Sequence, residues 1–268
     1  MTATSRASDT VFSGSIPQGY DRHLGPLLFE PYAAIVAERV RDLAPRRILE
    51  AAAGTGILTS ALHRALPDAE IVATDLNPAM LEVAASKLPS GTVTFRPADA
   101  LELPFGDGEF DLVVCQFGIM FYPDKVRGNA EARRVLRGGG TYLAIIWDRL
   151  DLNPVSHVLG QAVAAEFPEN PPTFMERAPF SYADPAQIER DMRAAGFTDV
   201  TVETVPASSR VNAHDAAYGM CLGSPMTAEI AERGRGAVER AARVAERALA
   251  PFDGQDAPMS ALFATARK

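Results

Sequence analysis

Residues 47–56, Arg-Ile-Leu-Glu-Ala-Ala-Ala-Gly-Thr-Gly, constrain the fold more than any other stretch of the chain. A short apolar strand runs into an acid, three alanines and a paired-glycine turn. Gly54 and Gly56 lack side chains, so the turn can take positive φ and bring its backbone close to a ligand. The helix that follows would point its free N–H groups the same way. Several nucleotide-binding folds share a strand and a Gly-x-Gly turn, so the residues downstream decide among them. Leu58, Leu62 and Leu66 recur at i+4 and predict a helix over 56–66, and Ile71-Val72-Ala73-Thr74 predicts a strand over 70–74 that ends at Asp75. A carboxylate at that strand end can accept both hydroxyls of a ribose.

The pattern continues on both sides. Tyr32, Val36, Val40 and Leu43 predict a helix over 31–44, stopped by Pro45. Strands over 47–50, 70–74, 92–96, 111–115 and 140–147 alternate with helices over 56–66, 78–87 and 124–136, and Asn77-Pro78 is a helix start with Asn as cap. Strands apolar enough to be buried on both faces, alternating with helices, predict a doubly wound α/β parallel sheet. Ligands of such sheets bind beyond the carboxyl ends of the strands. Glu50, Asp75, Asp99 and Gln116 fall at or just past those ends, so one crevice can collect them.

After Trp147 the period is lost, and residues 151–183, rich in proline and aromatics, read as an irregular insertion. Asp184-Pro185 caps a helix through Ala195 and Gly196 stops it. Residues 200–205 alternate as a strand, 213–222 read as helical, and 260–266 read as another strand. A helical stretch over 227–250, broken near Gly234 and Gly236, carries Glu229/Arg233 and Glu239/Arg243 at i, i+4, which reads as a solvated charged face. With no internal repeat and no low-complexity linker, 1–268 reads as a single domain. Residues 1–44 form an N-terminal cap, 45–147 the ligand-binding half, and 148–268 a substrate-side insertion with the last strands.

A net charge of −8 with no Lys/Arg run argues against nucleic acid as a partner. Cys115 and Cys221 stand apart, which offers neither a disulfide framework nor a metal-ligand spacing; metal: none is expected. No apolar leader and no window of eighteen apolar residues is present, so no membrane association and a cytoplasmic location are expected.

Several further segments fall in a familiar order. Thr74-Asp75-Leu76-Asn77-Pro78-Ala79-Met80-Leu81 follows the glycine turn, then Pro97-Ala98-Asp99-Ala100-Leu101, then Phe110-Asp111-Leu112-Val113-Val114-Cys115-Gln116-Phe117, then Arg134-Val135-Leu136-Arg137-Gly138-Gly139-Gly140. On these segments the chain resembles the class I S-adenosylmethionine-dependent methyltransferases, in particular the small-molecule group similar to ubiquinone/menaquinone-biosynthesis methyltransferases. The resemblance covers 45–147 closely and the C-terminal strands more loosely. It implies a Rossmann-like seven-stranded sheet with the last strand antiparallel, an N-terminal helical lid, and S-adenosyl-L-methionine as cofactor with S-adenosyl-L-homocysteine as product. The family's acid and Gly-x-Gly-x-Gly motif matches Glu50, Ala52, Gly54 and Gly56, with alanine replacing the first glycine. Its ribose-binding acid matches Asp75 and its adenine-amino acceptor Asp99, with Leu76, Met80, Ala100, Gln116 and Phe117 flanking the cofactor. Glu50 would accept the methionine amino group or nearby backbone N–H groups. Phe12, Tyr20 and Phe29 would form the lid and shape the pocket for a small, partly apolar acceptor.

Methyl transfer from a sulfonium needs alignment and exclusion of water more than acid–base chemistry. The titratable candidates for a direct role are Tyr20, Asp148, His157 and His214. Two other readings stay open. An NAD(P)-dependent oxidoreductase also uses an acid after the second strand, but its fingerprint wants a third glycine where Thr59 stands. A non-catalytic S-adenosylmethionine-binding protein would share every motif above. A nucleic-acid methyltransferase would show Asn/Asp-Pro-Pro-aromatic where Gln116-Phe117-Gly118-Ile119 stands, and Asn170-Pro171-Pro172 lies in the insertion.

Overall fold

The computed structural model describes residues 16–268; Phe12 and the polar segment before it lie outside the described residues. Seven strands form one sheet: β1 Arg47–Ala51, β2 Glu70–Asp75, β3 Thr94–Pro97, β4 Phe110–Gln116, β5 Leu136–Trp147, β6 Asp199–Arg210 and β7 Asp256–Arg267. Their order is β3-β2-β1-β4-β5-β7-β6. β1 to β5 pair in parallel, and β7 runs antiparallel between β5 and β6. The central strands are sealed by helices on both faces, so Ile48, Leu49, Val113, Val114 and Ile145 are fully buried. This is why they read as unbroken apolar runs.

Entering from the N-terminal side, α1 Ile16–Gly19 leads into a π-helical stretch, Tyr20–Phe29, and then α2 Glu30–Arg41. Pro26 has no N–H to give, and the wider turn, with Glu30 N–H bonded to the Gly25 carbonyl, absorbs the missing bond. Tyr32 of α2 is fully buried and its hydroxyl donates to the Val205 carbonyl at 3.2 Å, fastening this segment to β6. α3 Ile57–Ala65, α4 Pro78–Ser86 and α5 Lys125–Val135 are the crossovers of the parallel half.

Residues 151–183 are more regular than their sequence suggests. They contain α6 Pro154–Glu166 and α7 Phe174–Arg177. α6 packs on β7 and on α11 Ala237–Leu249, so apolar residues are spread around it and no polar stripe marks a helical period. α8 Pro185–Ala194 begins with Asp184 accepting from Ala186 N–H and ends at Gly196, as the sequence predicts. α9 Ala213–Leu222 and α10 Met226–Ala231 complete the C-terminal cap. The solvated face expected over 227–250 holds for Glu239 and Arg243 but not for Glu229, which is 4 % exposed and pairs with buried Arg177 at 3.0 Å. Among the described residues no helix is long and apolar enough to cross a membrane.

Candidate functional site

The strand order reverses between β1 and β4, and a cavity of about 310 Å³ opens beyond the carboxyl ends there. Loops after four strands line it: Ala52–Thr55 after β1, Asp75–Asn77 at β2, Ala98–Leu101 after β3, and Gln116–Gly118 at β4. Glu50, Ala52, Gly54, Asp75, Leu76, Met80, Asp99, Ala100, Gln116 and Phe117 are thus brought together, as the sequence predicts; Gly56 does not line the cavity and packs against Ala84 of α4, where a Cβ would stand 2.7 Å from the Ala84 Cβ.

The turn after β1 depends on unusual backbone. Ala52, Gly54 and Gly56 all have positive φ, 56°, 54° and 75°. Ala52 takes the left-handed region where the family has glycine, at a cost of about 1–2 kcal/mol. Phe117, at the end of the adjacent β4, is also left-handed, with φ 54°. Two strained residues on neighbouring strands at one ligand crevice fit a backbone held for binding. Gly118 fits beside them because a Cβ there would stand 2.5 Å from Ala52 Cβ.

Asp75 is nearly buried. Its Oδ2 accepts from Gly54 N–H at 2.9 Å and its Oδ1 from Asn77 N–H at 2.8 Å, so one carboxylate ties the glycine turn to the start of α4. Burial raises its pKa, and these amide bonds oppose the rise. Asn77 sits at the cap position of α4 without a side-chain cap bond, which corrects the expectation that Asn77 does the capping. Asp99 is exposed and its Oδ1 accepts from Leu101 N–H at 2.8 Å, so it both shapes its turn and faces the cavity. Met80 is at once a core residue and part of the lining, whereas Leu76 is 59 % exposed at the rim.

Glu50 is 2 % exposed and takes a 2.6 Å hydrogen bond from the Thr59 hydroxyl. Burial pushes its carboxyl up to about 8, with the Thr59 bond working against the rise and Asp75 adding to it. Thr59 stands where a dinucleotide fingerprint has its third glycine, and here it is a partner for the acid; sequence reasoning counted only the missing glycine. Gln116 donates from Nε2 to the Phe29 carbonyl at 3.3 Å, and its buried Oε1 has no partner among the described residues. Among the described residues no lysine or arginine lines this cavity, while three carboxylates do. That balance suits a cationic ligand.

The candidates for direct chemistry separate. Tyr20 lines the cavity and stacks on Phe29 with ring centroids 4.9 Å apart; burial, with Asp75 and Asp21, holds its phenol protonated well above the ordinary range. Asp148 is buried away from the cavity, accepting from the Ser260 hydroxyl at 2.7 Å. His214 is exposed, stacked on Tyr218 and 3.2 Å from Glu246. His157, on α6, lines neither this cavity nor the next. A second cavity of about 60 Å³ adjoins the first behind a shared wall of Tyr20, Phe29, Phe117 and Phe121. Phe174 and Met175 of the 151–183 insertion line it, together with Trp147, which the sequence did not single out.

A glycine turn of this geometry, with acids at or just past the ends of the first three strands of a sheet in this order, belongs to the Rossmann-like methyltransferases. The chain is a member of the class I S-adenosylmethionine-dependent methyltransferase family, and S-adenosylmethionine is its cofactor. A family model described as a methyltransferase domain matches residues 48–140. Demethylmenaquinone methyltransferase of Deinococcus radiodurans is 32 % identical over 168 residues, covering 57 % of this chain and 68 % of the relative. That of Thermus thermophilus is 33 % identical over 170 residues, covering 59 % and 76 %. Among solved structures, the fold matches Haemonchus contortus phosphoethanolamine N-methyltransferase 2 in complex with S-adenosyl-L-methionine, with a TM-score of 0.58, 18 % identity and coverage of 94 % of this chain and 56 % of that one. It also matches the [4+2]-cyclase SpnF, with a TM-score of 0.57, 18 % identity and coverage of 100 % and 99 %. The residues present fit the cofactor: the positive-φ turn leaves room for close approach, the acids oppose its positive charges, and Gln116 Oε1 is left to receive a donor.

Proposed function

We propose that this chain transfers the methyl group to a small, partly apolar acceptor by in-line displacement. When bound, S-adenosylmethionine supplies a methyl already activated by the sulfonium charge. The protein's work is then to bind, align and keep water out. In this reading Asp75 accepts the ribose hydroxyls, Asp99 the adenine amino group, and Glu50 the methionine ammonium. Leu76, Met80, Ala100 and Phe117 flank the cofactor's rings and chain, and Tyr20 with Phe29 closes the cavity from above. The observation that carries the reading is the aromatic wall shared by the two cavities, which brings a largely apolar chamber against the cofactor site. No base is assigned, since Tyr20 is protonated at neutral pH and Asp148, His157 and His214 face elsewhere.

Demethylmenaquinone, named in both relatives, is the first acceptor to try, followed by small phenols. Acceptor-dependent release of S-adenosylhomocysteine is the expected outcome. Tight cofactor binding with no release above background for any acceptor would favour the non-catalytic binding protein.

Glu50 makes cofactor affinity depend on pH. Its carboxyl is neutral below about 8 in the free protein and must ionise to pair with an ammonium, so binding at neutral pH releases a proton. Affinity therefore rises with pH from about 6 towards 8, by at most about tenfold per unit. Calorimetry in buffers of different ionisation enthalpy measures that proton. The slope should vanish in Glu50→Gln, and a flat wild-type profile would remove Glu50 from this role.

A further inference from the structure

The second cavity carries an unusual lining. Besides Tyr20 in the shared wall, two hydroxyls reach it, Ser156 and Ser224. Ser224 is fully engaged: its Oγ donates to the Met220 carbonyl at 2.6 Å and accepts from Met226 N–H at 3.2 Å. Ser156, in the first turn of α6, is 3 % exposed, and its hydroxyl makes no hydrogen bond among the described residues. A hydroxyl that faces a largely apolar cavity with no partner among the described residues leaves a donor and an acceptor for an occupant. No charged side chain lines this cavity among the described residues. An ammonium or carboxylate entering it would lose its hydration with no opposite charge to meet, and a cation over an aromatic face recovers only about 0.5–2 kcal/mol.

We propose that this cavity seats the reactive end of the acceptor and that Ser156 is its polar anchor. The acceptor class is then an uncharged molecule that presents a ring or short apolar segment with one hydroxyl or carbonyl. This rests on the methyl-transfer reading above, because the wall of Tyr20, Phe29, Phe117 and Phe121 is what sets the two sites side by side. Trp147 stacks on Phe117 at 3.8 Å and lines the cavity, so an occupant must touch that pair.

Trp147 is the chain's one tryptophan, and its emission reports on this cavity directly. The full chain, saturated with S-adenosylhomocysteine to fill the larger cavity, is titrated with benzyl alcohol, toluene, benzylammonium and benzoate while Trp147 fluorescence is followed. Benzyl alcohol should act at the lowest concentration, with the two ions at least about tenfold weaker. Ser156→Ala should weaken benzyl alcohol about 3- to 10-fold and leave toluene and S-adenosylhomocysteine unchanged, the last serving as the control for folding. Either ion matching benzyl alcohol, a Ser156→Ala effect absent or equal for alcohol and toluene, or no emission change with any probe would overturn the proposal. Failure of S-adenosylhomocysteine to bind the wild-type chain would strike the cofactor reading beneath it.

Discussion

Asp75→Ala is expected to weaken binding of S-adenosylmethionine and S-adenosylhomocysteine by two orders of magnitude or more. Two charge-assisted hydrogen bonds to a ribose contribute about 1.5–3 kcal/mol each, and about 1.4 kcal/mol is a factor of ten. The carboxylate also spans Gly54 N–H and Asn77 N–H, so its removal loosens the glycine turn that must approach the cofactor. Asp75→Asn separates the two effects. It keeps the shape and one acceptor oxygen but turns an NH2 toward one of those amides, and it should lose nearly as much affinity with less thermal destabilisation. Calorimetric titration beside thermal melts reads both quantities. Wild-type affinity in Asp75→Ala would remove the ribose assignment.

Glu229→Ala is expected to cost about 3–5 kcal/mol of stability, because it removes the carboxylate that meets the buried Arg177 guanidinium at 3.0 Å. At about 2–4 °C per kcal/mol for a domain of this size, the melting temperature falls by roughly 6–20 °C. Glu229 Oε1 also accepts from Thr173 N–H at 3.0 Å, so the carboxylate staples α10 to the turn that starts α7, and with it Phe174 and Met175 in the wall of the smaller cavity. Replacing both partners, Arg177→Met with Glu229→Leu, should recover part of the loss, because Arg233, 3.7 Å from the same carboxylate and nearly buried, loses it too. Arg149–Asp151, exposed on both sides, is the comparison pair, and Asp151→Ala should leave the melt unchanged. A Glu229→Ala melt as mild as that one would show that the Arg177 guanidinium is held without Glu229.

The parallel half was legible because its signals are local. β1, β2 and β4 are apolar runs with a polar residue at or beside the end, Glu50, Asp75 and Gln116, and a helix follows each of them. What lay hidden depends on distant partners. Glu229 and Arg233 look like a solvated pair until Arg177, 52 residues back, arrives beneath them. α6 lost its stripe because it is packed on more than one side. β6 and β7 extend several residues beyond the 200–205 and 260–266 expected, through Pro206 and Pro258. The structure tolerates Pro258 because β5 stops at Trp147 opposite Ala261, so there β7 has β6 on one side only. Of the site, the cofactor residues could be read from motifs. The smaller cavity could not, because separate segments from Tyr20 to Pro225 contribute to it and none carries a pattern.

The antiparallel insertion of β7 also bears on how the chain is made. β5 ends at Trp147 and β6 at Arg210, yet the free side of β5 and the whole of β6 have no partner strand until β7, from Asp256, has emerged. During synthesis the parallel half therefore waits with one side of β5 open, and β6 has no sheet to join. An open apolar strand edge is a template for pairing with another chain. For the time it takes to translate about a hundred residues, at roughly 5–20 per second, the growing protein carries its greatest aggregation hazard. Chaperone dependence should concentrate in that interval, and the last strand acts as the latch that ends it.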